Sequence, residues 1–272
     1  MKRHHATALA VTLLALAAAA AASIRFLDHR TPEPIVRGPG VTEVRMLSEW
    51  LPDLAGSPGD TEVYVFRGAS PGSSMLVLGG THPNEPSSFL SAVLLIENAS
   101  VSAGTLYVIP RANASGFTHN DPQEGAPERY TIALPGGSVR TFRYGSRATN
   151  PVHQWPDPDV YVHAASGQTL SGNETRNLNR GYPGRADGTL TERVCLGIAN
   201  LIRAEKVDIS VDLHEASPEY PVINAIVAHE RAMPLASQVV LGLEFLDIKI
   251  GLEPSPKNLR GLTHRELGDA TD

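Results

Sequence analysis

Short apolar runs alternate with segments of helical periodicity along this sequence, and this alternation restricts the fold more than any other feature. Short apolar runs bounded by glycine, proline or polar residues predict strands, and apolar residues at helical spacing predict helices. The predicted strands are residues 62–66, 75–78, 106–109, 207–213 and 224–227, and the predicted helices are residues 87–96, 189–204 and 235–246. Such an alternation predicts an α/β fold, in which a mostly parallel mixed sheet has helices on both faces.

Residues 112–177 interrupt this alternation with a long irregular segment that is rich in glycine, proline, serine, threonine and asparagine. Irregular segments of this length inside compact domains typically carry function or are mobile. In sheets of the predicted kind, ligands bind at the carboxyl ends of strands, where loops meet the starts of helices. Polar residues that directly follow a predicted strand are therefore the best candidates for chemistry.

Residues 1–30 predict a signal peptide or an N-terminal anchor rather than a part of the fold. Lys2 and Arg3 precede an uncharged, alanine-rich run at residues 6–23, and the small residues at 20–23 fit a cleavage site. The anchor is the alternative, because a run of this length lies at the lower limit for spanning a bilayer. Cleavage is favoured, since alanine is only weakly hydrophobic. Both alternatives predict an exported chain, periplasmic or extracellular, that contacts a membrane only through this segment if it stays uncleaved.

Composition and charge narrow the class of protein. The sequence has 272 residues, of which 42% are hydrophobic, so it can bury a core without disulfides or structural metals. A metal bound here would therefore serve chemistry. The formal net charge of −6 and the lack of a basic patch argue against nucleic acid as a partner. The single cysteine, Cys195, lies in a predicted helix and is expected to be a buried, unreactive thiol.

The sharpest motif is Gly-Gly-Thr-His-Pro-Asn-Glu-Pro at residues 79–86, directly after one predicted strand and before a predicted helix. Two glycines allow the backbone to turn tightly at the end of the strand. His82 and Glu85 are three residues apart, so in a helical turn both side chains project from one face and can reach one ion. Imidazole nitrogen and carboxylate oxygen are both zinc ligands. The alternative is a polar turn in which Glu85 caps the helix.

A second histidine ends another predicted strand. His214 follows residues 207–213, whose β-branched residues predict a buried strand, so it too lies at a carboxyl end. Two histidines and a carboxylate leave a fourth position for water, as in catalytic zinc sites. Asp212 faces the same side of the strand as His214, where it either orients a ligand histidine or forms a surface ion pair. The other histidines are expected in exposed or loop positions, among them His119, His153, His163, His229 and His264.

A third motif, Arg-Asn-Leu-Asn-Arg-Gly-Tyr-Pro-Gly, covers residues 176–184. Arginine binds a carboxylate through two parallel hydrogen bonds, and a neighbouring asparagine adds a donor. Asn179 and Arg180, if they project into a zinc pocket, would hold a substrate carboxylate. The alternative is a surface turn with exposed arginines.

The three motifs together resemble the zinc carboxypeptidase superfamily. Its order is His-x-x-Glu, then Asn-Arg followed by an aromatic residue, proline and glycine, then Asp-Leu-His. The first motif and Ile-Pro-Arg-Ala-Asn at residues 109–113 are most similar to the succinylglutamate desuccinylase/aspartoacylase branch. The resemblance extends from about residue 75 to residue 214 and is weaker at residues 261–269. It therefore implies a zinc carboxypeptidase-like fold.

The resemblance also implies a site. It implies one zinc ion per chain, with His82, Glu85 and His214 as the ligands. It implies that Asn179 and Arg180 bind a substrate carboxylate. Arg176 would then polarise the carbonyl of the bond that is cleaved.

The activity that the resemblance implies is hydrolysis of an amide bond next to a carboxylate-bearing group. The enzyme would be of the carboxypeptidase or N-acyl amino acid deacylase type, with a small peptide or an N-acyl amino acid as substrate. The resemblance further implies a glutamate on a late strand as general base, and Glu253 and Glu266 lie in that region of the sequence. Neither has the expected setting. We therefore expect a linker at residues 31–45 and a zinc hydrolase domain at residues 46–272 that is incomplete at its C-terminus. The alternative is a zinc-binding protein without turnover, because the base is absent.

Overall fold

A computed structural model of the chain describes residues 2–120, 127–217, 219 and 224–270, so parts of the predicted irregular segment and of the predicted domain lie outside the described residues. The strands are β1 (Glu43–Met46), β2 (Glu62–Arg67), β3 (Ser70–Leu78), β4 (Ala103–Ile109), β5 (Arg129–Ala133), β6 (Val139–Arg143), β7 (Val160–Val162), β8 (Thr169–Ser171), β9 (Ile209–Asp212), β10 (Ala225–Ala228) and β11 (Gly251–Pro254). The helices are α1 (Lys2–His29), α2 (Pro86–Asn98), α3 (Leu190–Ala204), α4 (Met233–Glu244) and α5 (Thr263–Ala270).

A five-stranded mixed sheet forms the centre of the molecule, in the order β1-β2-β4-β3-β9. β2 pairs antiparallel with β1 and β4, whereas β3 pairs parallel with both β4 and β9. In this parallel half, Leu78 aligns with Ile109 on one side and with Asp212 on the other. The carboxyl ends of three strands therefore meet at one edge of the sheet, where the sequence predicts the metal ligands.

Helices cover both faces of this sheet. Successive residues of β2 show this, because Val63 and Val65 belong to an apolar cluster with α3, whereas Tyr64 and Phe66 belong to another with α2. Removal of these side chains from water on both faces stabilises the layered arrangement of helix, sheet and helix. The predicted α/β fold class, a mixed sheet with helices on both faces, is confirmed.

Helix α3 joins the core to an irregular turn that matters for the site. A capping box begins the helix: the Thr189 hydroxyl accepts the Glu192 N–H, and the Glu192 carboxylate accepts the Thr189 N–H. Cys195 is fully buried in this helix, as expected, and burial raises the pKa of its thiol. Its Sγ lies 3.3 Å from the carbonyl oxygen of Leu178, the first residue of the 3-10 turn Leu178–Arg180. The core therefore holds this turn in place.

Two small hairpins lie within the predicted irregular segment. β5 pairs with β6 and β7 pairs with β8, each antiparallel and each separate from the central sheet. The sequence does not predict these strands because they are short and have many exposed positions. β10 and β11 form a further parallel pair outside the central sheet.

Helix α1 is the element that could meet a membrane. Among the described residues it is the one helix long and apolar enough to cross a bilayer, by length and composition only. Its apolar side chains are exposed. A signal sequence and an anchor both meet this description, so both predicted alternatives stay open.

The segment predicted as a linker, residues 31–45, packs against the domain. The carboxylate of Glu33 lies 2.8 Å from Arg143 Nε and 3.7 Å from Arg111 NH2. All three side chains are nearly buried. Burial alone would raise the pKa of Glu33, but the charges of Arg111 and Arg143 outweigh it and lower this pKa. The segment is therefore fixed to the body of the molecule by a buried ion pair.

Candidate metal centre

The predicted metal ligands follow two neighbouring parallel strands. Gly80 turns the chain after β3 with a φ of +64°, a conformation that favours glycine. His82 follows this turn, and Glu85 directly precedes α2 without a side-chain capping bond, so the capping alternative is not what the structure shows. His214 comes just after β9, which lies beside β3. The loops after these two strands therefore meet.

Their side chains converge on one point. One ligand atom from each of His82, Glu85 and His214 lies within 4.8 Å of the other two. His82 Nδ1 is 2.7 Å from Glu85 Oε1, and His214 Nδ1 is 2.9 Å from Glu85 Oε2. His82 is 2% exposed and Glu85 is 9% exposed, whereas the His214 side chain is 29% exposed. These three residues could hold a metal ion at a position that is open to solvent on the side of His214.

The far nitrogen of each imidazole has an acceptor. His82 Nε2–H donates to Asn177 Oδ1 at 2.9 Å, and His214 Nε2–H donates to Asp212 Oδ2 at 3.0 Å. An acceptor at Nε2 fixes the ring so that Nδ1 faces the common point, as such partners do for metal-bound histidines. Arg147 NH1 lies 3.2 Å from His82 Nδ1. Because a guanidinium N–H can only donate, this contact indicates that Nδ1 carries a lone pair.

The chemistry of this donor set fits a cation. Burial lowers the pKa of His82 more than Glu85 raises it, so the ring is neutral at neutral pH and its one proton is on Nε2. His82 Nδ1 and Glu85 Oε1, both acceptors, then face each other at 2.7 Å. Two acceptors at this distance repel unless a positive centre lies with them; Arg147 NH1 is one such centre, and a cation bound between the two atoms would be a closer one. Nitrogen and carboxylate ligands of this kind suit zinc and similar divalent metals.

His214 carries a second positive charge at the site, besides that of Arg147, when no metal is bound. Burial lowers the pKa of His214, but the charges of Asp212 and Glu85 outweigh it and raise this pKa to about 10. The same attraction lowers the pKa of both carboxyl groups, although burial opposes it. Two ionised carboxylates thus surround one protonated imidazole, and a divalent cation could replace its proton.

Asp212 is an internal partner of His214 rather than a member of a surface ion pair. Its side chain is 5% exposed. The Thr81 hydroxyl donates to Asp212 Oδ1 at 2.7 Å, and the Thr263 hydroxyl donates to Oδ2 at 2.6 Å. The carboxylate therefore has a fixed orientation toward the ring.

Two of the predicted substrate-binding residues, Asn179 and Arg180, lie on the turn Leu178–Arg180. The side chain of Asn177 caps this turn by accepting the Asn179 N–H at 3.0 Å, and it is the same oxygen that binds His82. The turn is therefore attached directly to His82, one of the predicted metal ligands. Arg180 Nε lies 3.4 Å from Glu174 Oε2. The sequence analysis does not predict this role of Asn177. Its position two residues before Asn179, in the same motif, is the one feature of the sequence that points to it.

Arg176, the third predicted substrate-binding residue, is held elsewhere. Its Nε and NH2 donate to the two carboxylate oxygens of Asp157 at 2.8 and 2.9 Å, and its NH1 donates to the Thr149 carbonyl at 2.9 Å. The structure therefore does not bring Arg176 to the three ligands. The arginine beside them is Arg147, whose NH1 is 3.4 Å from Glu85 Oε1 and whose side chain is 40% exposed. Arg147 lies in the irregular segment, where no pattern in the sequence marks it.

Neither candidate general base makes a contact with the three predicted ligands among the contacts that the structure describes. Glu253 is an exposed residue of β11. Glu266 is buried, and its carboxylate accepts two hydrogen bonds from Arg260 at 2.7 and 3.0 Å and one from the Gly261 N–H at 2.9 Å. Its bonds fix the start of α5 and leave no oxygen directed at the metal ligands.

Two of the other histidines lie in loops, which is one of the expected settings, yet are buried, whereas His264 differs from the expectation because it lies in α5 and is half-buried. His163 is 2% exposed and His229 is 7% exposed, although both lie in loops. His163 contacts Ser166 Oγ at 2.7 Å and the Tyr182 carbonyl at 2.6 Å, and His229 contacts Asp269 at 2.9 Å. These bonds satisfy the ring nitrogens and explain how the two rings are buried.

Comparison with known proteins finds similarity at the level of structure. No family model matches the sequence, and no curated protein matches it. Bovine thrombin-activatable fibrinolysis inhibitor, in complex with tick carboxypeptidase inhibitor, matches with a TM-score of 0.52 and 14% identity, over 86% of this chain and 77% of that chain. A succinylglutamate desuccinylase from a Silicibacter species matches with a TM-score of 0.49 and 15% identity, over 77% of this chain and 50% of that chain. A metallo-carboxypeptidase from Burkholderia cenocepacia matches with a TM-score of 0.48 and 12% identity, over 82% of this chain and 55% of that chain.

These similarities concern the fold. The first of them shows that the chain has a zinc carboxypeptidase-like fold, as its motifs predict. The matching structures include metallocarboxypeptidases and succinylglutamate desuccinylase/aspartoacylase proteins, the two groups to which the sequence motifs point. The chain spans about half the length, or somewhat less, of the succinylglutamate desuccinylase and aspartoacylase family structures that it matches.

Proposed function

We propose that this chain is a zinc-dependent hydrolase that cleaves an amide bond next to a carboxylate-bearing group. The observation that carries the proposal is the meeting of His82 Nδ1 and His214 Nδ1 at the two oxygens of Glu85, with the far nitrogen of each ring hydrogen-bonded. Three protein ligands of these types, with one side open to solvent, suit a catalytic zinc ion better than a structural one.

The residues of the site have separate tasks in such a reaction. Zinc bound here would act as a Lewis acid that polarises an amide carbonyl and makes water more acidic. Asn177 and Asp212 hold the ligand rings in orientation. Arg147 places its positive charge next to the ligands, so it can stabilise negative charge that develops on the carbonyl oxygen. This assigns to Arg147 the task that the sequence motif suggests for Arg176.

Asn179 and Arg180 are proposed to bind the substrate carboxylate. The turn that carries them is bonded through Asn177 to His82, so a carboxylate bound there lies close to the metal. An arginine beside an asparagine supplies several N–H donors to a carboxylate. The substrate class is then a small peptide with a free C-terminus or an N-acyl amino acid.

Export is proposed from the N-terminal helix. α1 has the length and composition of a signal sequence or an anchor. In either case the domain would act in the periplasm or outside the cell, touching a membrane only through α1 if the helix is kept. Peptides are a more available substrate there than intermediates of amino-acid breakdown in the cytoplasm.

The metal part of the proposal is tested by elemental analysis of the purified chain. We expect about one zinc per chain, and loss of zinc in His82→Ala, Glu85→Ala and His214→Ala, because two remaining protein ligands are too few. His153→Ala is the matched control, since His153 is partly exposed and bonded to Ser115. Full zinc occupancy in His214→Ala would rule out this site.

Turnover is tested on the zinc-loaded chain with pairs of substrates. We expect hydrolysis of dipeptides or N-acetyl amino acids that carry a free carboxylate, and much slower hydrolysis of the same compounds as C-terminal amides. A zinc-binding protein without turnover is the second candidate function. Two observations favour it: the carboxylate of Glu266 is held by Arg260 and Gly261, and Glu253 makes no described contact with the ligands. Zinc binding without hydrolysis of any member of the panel would support that candidate.

A further inference from the structure

Thr263, the first residue of α5, touches both halves of the candidate site. Its hydroxyl is 2.6 Å from Asp212 Oδ2, and its backbone N–H donates to Asn179 Oδ1 at 2.9 Å. Asp212 in turn holds His214, a proposed zinc ligand. One residue, itself 2% exposed, thus stands between the metal ligands and the turn proposed to bind the carboxylate.

The directions of these hydrogen bonds follow from the donors that are present. The Thr263 hydroxyl also lies 3.1 Å from Asn179 Oδ1, but it has a single proton. That proton goes to the ionised Asp212, which is closer and forms the stronger, charge-assisted bond. The backbone N–H can only donate, so Asn179 must turn its oxygen toward Thr263. The NH2 group of Asn179 is thereby turned away from α5.

A second contact fixes the start of α5 against the same turn. Gly261 has a φ of +81°, and a side chain at this position would stand 2.4 Å from the carbonyl oxygen of Arg180. Only glycine allows this approach. Glu266 holds Gly261 from the other side by accepting its N–H at 2.9 Å. Thr263 therefore cannot shift without disturbing the turn that carries Asn179 and Arg180.

We infer that Thr263 is a positioning residue that couples His214, through Asp212, to Asn179. The inference rests on the proposed function, because it takes His214 as a zinc ligand and Asn179 as a carboxylate donor. Thr81 provides an internal comparison. Its hydroxyl donates to the other oxygen of Asp212 at 2.7 Å, and it makes no hydrogen bond to Asn179 among the described residues.

The first experiment measures zinc affinity by competition with a chromophoric chelator. Loss of a group that hydrogen-bonds a metal ligand directly, as Asp212 does, typically costs about 10- to 100-fold in metal affinity. Thr263→Val and Thr81→Val each remove one donor from Asp212, one hydrogen bond further from the metal, so we expect a smaller loss of about three- to tenfold in both variants and recovery in Thr263→Ser. Thr61→Val is the matched control, because Thr61 is also buried and its hydroxyl donates to the Arg111 carbonyl. It should bind zinc like the unmodified chain.

The second experiment uses zinc affinity to detect the coupling itself. Asn179→Ala should weaken zinc binding about threefold or more in the unmodified chain, yet have no further effect in Thr263→Val, because the connection is already lost. In Thr81→Val, Asn179→Ala should have its full effect. The effects of Asn179→Ala and Thr263→Val on zinc affinity should thus be non-additive, whereas those of Asn179→Ala and Thr81→Val should add. A general loss of stability would not produce this difference.

The outcomes separate the inference from the proposed function. If the unmodified chain binds no zinc, the proposed function fails. If it binds zinc tightly and Thr263→Val stays within twofold of it, only the inference fails. Additive effects of Thr263→Val and Asn179→Ala would likewise overturn the coupling while leaving the metal site intact. Failure of Thr263→Ser to recover affinity would show that the hydroxyl is not the group that matters.

Discussion

At the scale of single residues, the two histidines of the centre differ in protonation: His82 is neutral and His214 is protonated. Asn177 offers a neutral amide oxygen to His82, whereas Asp212 offers a carboxylate to His214. A carboxylate stabilises the imidazolium form and an amide much less. Burial therefore keeps His82 neutral, while Asp212 and Glu85 raise the pKa of His214 to about 10. Zinc bound as proposed would therefore displace a proton from His214 alone.

This difference predicts how zinc affinity depends on pH. The raised pKa of His214 means that its proton is bound throughout the neutral range and competes with zinc there. Affinity should rise about tenfold per pH unit between about pH 6 and 9, with about one proton released per zinc. Isothermal titration in buffers of different ionisation enthalpy measures the released proton.

Asp212→Asn is the control for this pH dependence. The amide removes the charge that raises the pKa of His214, so the proton leaves at lower pH. The slope of zinc affinity against pH should then flatten above neutrality. A slope of two in the unmodified chain would mean that both histidines bind protons, and no slope would mean that neither does.

At the scale of elements, some residues of the centre follow regular strands and others lie in irregular segments. The sequence predicts the position of a residue in space more easily when it follows a strand. His82, Glu85 and His214 were predicted because strand ends are visible as apolar runs, and adjacent parallel strands bring their ends together. Arg147 and Thr263 were not predicted as site residues. The first lies in a segment without periodicity and the second at the start of a short helix, so only the three-dimensional path places them.

Two neighbouring turns each end in an arginine: Gly172–Arg176 and Leu178–Arg180. We expect substitution of Arg180 to reduce activity and substitution of Arg176 to reduce stability. Arg180→Ala should lower kcat/KM about 30- to 1,000-fold on free-acid substrates, because a charge-assisted carboxylate contact worth about 2–4 kcal/mol is lost. Folding should change little. Arg180→Lys should recover activity only in part, since lysine lacks the planar fork.

Arg176→Ala is the matched comparison. It removes a two-bond contact with Asp157 and a bond to the Thr149 carbonyl, so it should lower the urea midpoint. Its effect on discrimination between free acids and amides should be small. Equal use of acids and amides by the unmodified chain would contradict the role of Arg180.

At the scale of the whole molecule, the segment between α1 and the sheet is part of the folded body. Glu33 ties this segment to Arg143, which ends β6, and to Arg111, which follows β4. Arg143 NH1 also donates to the His29 carbonyl at 3.0 Å, at the end of α1. A proline-rich composition predicts a linker, but it does not reveal a single carboxylate that pairs with two buried arginines far along the sequence. The end of α1 and the folded domain are therefore joined through the buried contacts of this segment.

The buried pair predicts a large loss of stability in Glu33→Gln. The variant leaves Arg143, 3% exposed, without its anion, and removal of one partner of a buried pair typically costs about 3–5 kcal/mol. The folded-state pKa of Glu33 is lowered, so its contribution is present above the unfolded pKa of about 4.3 and is lost as pH falls through the folded value. Urea unfolding should show the full difference at pH 7 and a smaller one below about pH 4.

Glu43→Gln is the control, since Glu43 and Arg67 form an exposed pair whose loss should cost at most about 1 kcal/mol. Equal effects of the two substitutions would show that Glu33 does not hold the segment to the domain.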